Sequence, residues 1–167
     1  TRHGERLSNR ERRGQGQADG CLTDVGRQQA AAVAAWCRSQ PFPDRCELWS
    51  SPLCRAQETA EIIGKSTGLP VNLKDDLVEL NAGIFQGHLW DDLADRFPED
   101  VAQWRSGDID FQIPGGESRR QLAQRGCHAL QQAADGHVDT NGISNPFVAI
   151  CLTVARYVVM VLSLIHI

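Results

Sequence analysis

The sequence lacks most features that would place it outside the ordinary globular proteins. It has no surplus of positive charge: 17 Lys and Arg stand against 21 Asp and Glu, a formal net charge of -4. That balance argues against nucleic-acid binding, which normally needs a basic surface. Six cysteines are present without a single C-x-x-C pair. With no secretory-signal pattern either, a cytoplasmic protein is expected, its cysteines reduced and serving as small apolar fillers. Internal repeats, low-complexity tracts and long linkers are missing too. An uninterrupted apolar run of membrane-spanning length is also absent. In NPFVAICLTVARYVVMVLSLIHI, Arg156 divides two runs, each shorter than the roughly 18 to 20 residues a span requires. This stretch predicts a buried strand followed by a helix.

What is present fits one folded domain over residues 1–167. The chain is 167 residues long with 41% hydrophobic and 23% charged residues, enough apolar material for a core and too little polarity for wholesale disorder. Helix and strand signals alternate. LTDVGRQQAAAVAAWCRS predicts a helix capped by Thr23, with Val25, Ala32, Val33 and Trp36 on its inner face. RCELWSS and LPVNLK predict short strands. Between them SPLCRAQETAEIIGKSTG predicts a helix, with Ser51 as cap, Pro52 in the first turn, and Leu53, Ala56, Ala60 and Ile63 inward; Gly68 stops it. DDLVELNAGIFQG is too rich in glycine for regular structure. The acidic stretch from Asp91 to Asp110 predicts short helices broken at Pro98 and Gly107, and IPGGES predicts a turn. A helix from Ser118 to about Ala134 presents Leu122, Ala129, Leu130 and Ala133, and FVAICL predicts a buried strand. Strands separated by helices predict an α/β sandwich with a mainly parallel sheet, whose ligands bind at the carboxyl ends of the strands.

Charge is concentrated locally even though the total is acidic. Residues 1 to 13 hold Arg2, Arg6, Arg10, Arg12 and Arg13 against Glu5 and Glu11, a patch that draws small anions toward one place. Within it lies His3. A neutral imidazole can attack phosphorus and carry the phosphoryl group covalently. The transferring group spreads negative charge over three oxygens, so cations and donors must surround it. Arg2 adjoins the nucleophile. Arg55 falls at the start of the second helix, where unpaired backbone N–H groups also favour an anion. Guanidinium suits that place because its planar fork pairs two oxygens and stays charged. Glu79, a carboxyl among apolar neighbours, suits the general acid that protonates a leaving oxygen, with Glu5 as the competing carboxylate. His88, His128 and His137 have no spacing that suggests a zinc site.

Taken in order, RHGE, Asn9, GQADGCLTDVGRQQA, SSPLCRAQETA, ELNAGIFQG and IPGGES together resemble the histidine phosphatase superfamily, the phosphoglycerate mutase-like family, over roughly residues 1–150. The resemblance implies a three-layer α/β/α sandwich, a phosphohistidine on His3, a phosphate pocket containing Arg2 and Arg55, and Glu79 as proton donor. It implies substrate contacts from Asn9 and the Gln15–Gly16 turn, a small phosphorylated substrate, and no metal or nucleotide cofactor. Two departures stand out. The family has a core strand before its Arg-His-Gly, and here only Thr1 precedes it. Family members also carry a His-Gly pair after the last core strand, and here CLT stands in that place. Both point to a chain truncated at its ends, with His166 too far on to substitute. The expected activity is phosphomonoester hydrolysis, impaired by the missing histidine. The alternatives are phosphoglycerate mutation and phosphate binding without turnover.

Overall fold

In the computed structural model, residues 4–5, 16–17, 20–39, 47–135 and 149–152 are described. Helix α1, Asp24–Arg38, is followed by strand β1, Glu47–Ser50, helix α2, Cys54–Thr67, and strand β2, Val71–Leu73. Two 3₁₀ turns, Asp75–Leu77 and Gly83–Phe85, shape the glycine-rich segment. The acidic stretch forms α3, Leu93–Arg96, and α4, Pro98–Ser106; then come α5, Arg119–Asp135, and β3, Ala149–Leu152. Among the described residues the sheet is three-stranded and parallel, in the order β2-β1-β3. Leu48 stands opposite Val71 on one side and Ile150 on the other. This is the parallel α/β arrangement that the alternating signals predict.

Local chemistry sets the element ends. Thr23 caps α1 by accepting a hydrogen bond from Gly26 N at 3.0 Å. Gly68 ends α2 in the left-handed conformation, φ 78°, and its N–H donates to Gly64 O. Pro98 occupies the first turn of α4, and Gly107, φ 84°, terminates it. At the start of α5 the bonds are reciprocal: Ser118 N donates to Gln121 Oε1, and Gln121 N donates to Ser118 Oγ. This is a capping box. The start of α2 differs from expectation. The helix begins at Cys54 after Leu53, and the Ser51 hydroxyl accepts from Leu53 N at 3.2 Å, ahead of the helix itself.

The inner face of α1 also needs correction. Val25 and Trp36 are exposed, at 49% and 63%, and the buried residues are Gly26, Ala30, Ala34 and Cys37. Val33 is partly buried against the core as expected, whereas Ala32 is exposed; close approach between α1 and α2 explains the choice, since small side chains let two helix backbones pack tightly. Ala34 and Cys37 join Leu48, Ala60 and Ile63 in one apolar cluster. Burial pushes the Cys37 thiol above its usual pKa. A second cluster gathers Ala82, Phe85, Leu93, Val101 and Ile113 beneath the glycine-rich segment. Arg119 covers its edge, stacked 3.4 Å from the Trp104 ring centroid and donating to Trp104 O and Asp108 O.

The cysteine expectation fails at one pair. Cys21 and Cys54 form a disulfide across 33 residues, with Cα atoms 5.2 Å apart, the spacing a disulfide needs. The fold makes it by setting the loop ahead of α1 against the first residue of α2, a proximity that cysteine spacing alone does not reveal.

Candidate functional site

The site is organised around the carboxyl end of β1, as a parallel sheet dictates. The chain leaves β1 at Ser50, passes the fully buried Ser51, and enters α2 with Arg55 in its first turn. Arg55 is 0% exposed. Its Nη2 donates to Gly16 O at 3.0 Å. Burying a guanidinium this completely is costly without partners, and so this arginine is held in place by the fold rather than lying on the surface.

The Gly16–Gln17 turn links Arg55 to the Glu79 segment. Gly16 has φ 50°, and a Cβ there would lie 2.9 Å from Ala82 N and Leu80 O. Only glycine fits that approach. Next to it, Gln17 Nε2 donates to Glu79 O at 3.1 Å. One two-residue turn therefore accepts from Arg55 and donates to Glu79.

Glu79 lies in an irregular loop, half-buried, with its Oε1 accepting from Leu80 N at 2.9 Å. The loop is held from below by Arg125 of α5. That guanidinium donates to Asp76 O at 2.9 Å, Val78 O at 2.6 Å and Glu79 O at 2.9 Å. It also forms a forked ion pair with Glu117, to Oε2 at 3.1 Å and Oε1 at 2.6 Å. Glu117 in turn accepts from Asn81 N and donates its own N–H to Asn81 O. The Gly115–Gly116 turn packs so closely on this loop that a Cβ at Gly83 would come 2.2 Å from Pro114 O.

The N-terminal segment reaches the same region. Gly4, the residue after His3, donates from its N–H to Thr59 Oγ1 at 3.3 Å, and that hydroxyl donates to Arg55 O at 2.7 Å. Thr23 N donates to Glu5 O at 2.9 Å and Glu5 N to Gln29 Oε1 at 2.9 Å. A Cβ on Gly26 would lie 2.1 Å from Glu5 O, so glycine at that place is what lets the segment sit against α1.

Of the residues singled out from sequence, Arg55, Gly16 and Glu79 are thus linked through the Gly16–Gln17 turn. Arg2, His3, Asn9 and Gln15 lie outside the described residues, as do His137 and His166. His88 packs edge-on against Phe97, with ring centroids 5.6 Å apart, and the exposed His128 sits 3.6 Å from an Asp76 oxygen. Sequence reasoning missed Gln17, Thr59, Glu117 and Arg125. Glu117 belongs to the quoted IPGGES motif, which was the only signal available for it. On the exposed rim, Asp110 pairs with Arg120, and this hydrogen bond holds the Asp110 carboxyl below its usual pKa.

Comparison with known proteins bears on the family and the fold. Residues 1–152 match the model of the histidine phosphatase superfamily, branch 1. The chain is 39% identical over 138 residues to a metal-independent phosphoserine phosphatase of Arabidopsis thaliana, covering 81% of this chain and 57% of that protein. It is 38% identical over 138 residues to a probable phosphoglycerate mutase of Escherichia coli, covering 80% of this chain and 61% of the relative. Those curated relatives are therefore matched over less than two thirds of their length. Among solved structures, a mycobacterial glucosyl-3-phosphoglycerate phosphatase complexed with VO3 superposes with a TM-score of 0.79 at 32% identity, covering 97% of this chain and 76% of that one. No described helix is long and apolar enough to cross a membrane. With the fold, the order of the motifs and the matched span in agreement, the chain belongs to the histidine phosphatase superfamily, branch 1.

Proposed function

We propose that this chain is a cytoplasmic, single-domain phosphomonoester hydrolase that works through a phosphohistidine on His3. The observation that carries the reading is the Gly16–Gln17 turn, which is bonded at once to the buried Arg55 guanidinium and to the Glu79 segment. A fixed cation on one side of a turn and the backbone of a carboxyl-bearing residue on the other suit a group that must be bound as an anion and released with a proton.

The steps follow from those residues. His3 attacks phosphorus as Arg55 and Arg2 hold the phosphoryl oxygens, with Asn9 and Gln15 as further contacts. The P–N bond forms as the ester P–O bond breaks, and Glu79 gives its proton to the departing oxygen. Glu79, now a carboxylate, takes a proton from water. The resulting hydroxide oxygen bonds to phosphorus, the P–N bond breaks, and inorganic phosphate leaves with His3 restored. Neither step calls for a metal. CLT, whose Cys151 and Leu152 are the last residues of β3, stands where the family resemblance puts a His-Gly pair, and loss of one donor to a developing anion costs about 100- to 1,000-fold in rate. Turnover is accordingly slow in this proposal.

Mutase activity uses the same residues but returns the phosphoryl group to a substrate hydroxyl. Names of the relatives divide between the two reactions. We favour hydrolysis because the short path from Glu79 to Cys151 leaves no room for the insertion after the glutamate motif that marks the mutases. The experiment is to incubate the purified chain with an aryl phosphate and with 3-phosphoglycerate. Slow release of inorganic phosphate is expected. Isomerisation of 3-phosphoglycerate would establish the mutase instead, and vanadate binding without either product would make the chain a phosphate binder.

A further inference from the structure

Outside the Arg55 pocket, the densest reactive chemistry lies at the Cys21–Cys54 disulfide. Its position is not neutral with respect to the pocket. Cys54 immediately precedes Arg55, and Cys21 lies five residues after Gly16, so the disulfide closes the same seam that the Arg55–Gly16 hydrogen bond crosses. An open cleft of about 360 Å³ leads to it, lined by Cys21, Arg27, Cys54, Gln57, Glu58 and Glu61 among others. Free thiols elsewhere include Cys127, half-buried on α5, and Cys37, enclosed in the core.

We propose that Cys21–Cys54 is a thiol-exchange site, at which a small cellular thiol of the glutathione class attacks Cys21 and Cys54 departs. The two sulfurs are inequivalent. Cys21 is exposed, and Cys54 is half-buried at the first position of a 14-residue helix. A thiolate at a helix N-terminus is stabilised by the helix dipole, and a disulfide breaks toward the thiolate that leaves more readily. Exposure and leaving-group ability thus select the same direction. Glu58 opposes it, because its carboxylate lies within 4.8 Å of both sulfurs. That charge is already engaged by Arg27 Nε at 2.7 Å and by Leu22 N at 2.9 Å.

The exchange balances as follows. An incoming thiolate forms a sulfur–sulfur bond to Cys21, the Cys21–Cys54 bond breaks, and Cys54 takes the electron pair as thiolate. A second thiol displaces the first from Cys21, releasing a small-molecule disulfide and leaving Cys21 reduced. Two small thiols thereby supply two electrons and two protons. In the reducing cytoplasm, protein disulfides are mostly of this transient kind. Opening the bond releases the Gly16 segment from the start of α2 and weakens oxyanion binding at Arg55, a consequence that rests on the proposed phosphate pocket.

The test treats the air-oxidised chain with millimolar reduced glutathione, blocks free thiols with iodoacetamide, and reads each cysteine by fragment-ion mass spectrometry, which separates Cys46 from Cys54 in their shared tryptic peptide. Glutathione on Cys21 with the blocking group on Cys54 is the expected result. A glutathione adduct on Cys54, resistance to exchange, or absence of the disulfide from the untreated protein would overturn the proposal. Vanadate titration gives the second readout. The Cys21→Ser variant is expected to bind vanadate about three- to tenfold more weakly than the oxidised chain, the net worth of roughly one ordinary hydrogen bond. Equal binding by both refutes the coupling to Arg55, whereas no binding by either refutes the phosphate pocket and leaves the exchange itself to be judged by the mass spectra.

Discussion

Arg55 and Glu79 are held in opposite ways. Arg55 stands in the first turn of a regular helix, is fully buried, and is placed by backbone geometry that begins three residues earlier at Pro52. Glu79 sits half-buried in a loop without regular structure, and the loop keeps its shape through Arg125, 46 residues further along the chain. The first residue depends on local helix formation, and the second on a distant ion pair. Damage to one site should therefore be confined to binding, and damage to the other should travel through the loop.

The largest expected effect comes from Arg55. In Arg55→Ala the proposed phosphate pocket loses its buried cation and Gly16 O loses its Arg55 donor, so turnover of an aryl phosphate should fall on the order of 100- to 1,000-fold. Steady-state assays well below the unfolding midpoint measure it, with Arg55→Lys keeping the charge but not the forked geometry and recovering only part of the loss. Turnover unchanged in Arg55→Ala would erase the distinction between the two residues, since the helix start would then have no part in the chemistry.

A smaller activity loss with a larger stability loss is expected from Arg125. Its pair with Glu117 is shielded, with side-chain exposures of 19% and 16%. Arg125→Ala removes the bonds to that carboxylate and to the carbonyls of Asp76, Val78 and Glu79, with Asn81 N still serving Glu117 and Gln17 still serving Glu79 O. Breaking such a pair costs about 2 to 4 kcal/mol, less than for full burial. Denaturant unfolding checks the stability, and the turnover of the folded variant should drop only about tenfold, because a displaced Glu79 misaligns the proton transfer. Arg125→Lys restores the charge but can satisfy only some of the five bonds, so its stability should fall between the two. A variant as stable as the wild type would mean that the loop holds its own shape.

The same contrast explains what the sequence made legible. Signals near in sequence were readable: Thr23 as cap, Gly68 as stop, Pro98 and Gly107 as breaks, and a helix carrying Arg55 after a short strand. The alternation of strands and helices gave the parallel sheet. The Arg125 clamp was not readable, because nothing in the local pattern of α5 distinguishes an arginine that reaches under a loop from one in solvent. The face of α1 was misjudged for a related reason. Val25 and Trp36 are the more hydrophobic choices, yet contact with α2 favours Gly26, Ala30 and Ala34, and that preference belongs to the partner helix. The disulfide was hidden in the same way, since 33 residues separate cysteines that only the packed fold brings together.

The account stands on the claim that the segment docked at Thr59 through Gly4 presents His3 to the phosphoryl group bound by Arg55. Rapid mixing with an aryl phosphate, alkaline quenching and peptide mass spectrometry test it most directly. An alkali-stable, acid-labile phosphate on His3, absent from His3→Ala, is the predicted result. Phosphate found on a different residue, or hydrolysis undiminished in His3→Ala, would contradict it.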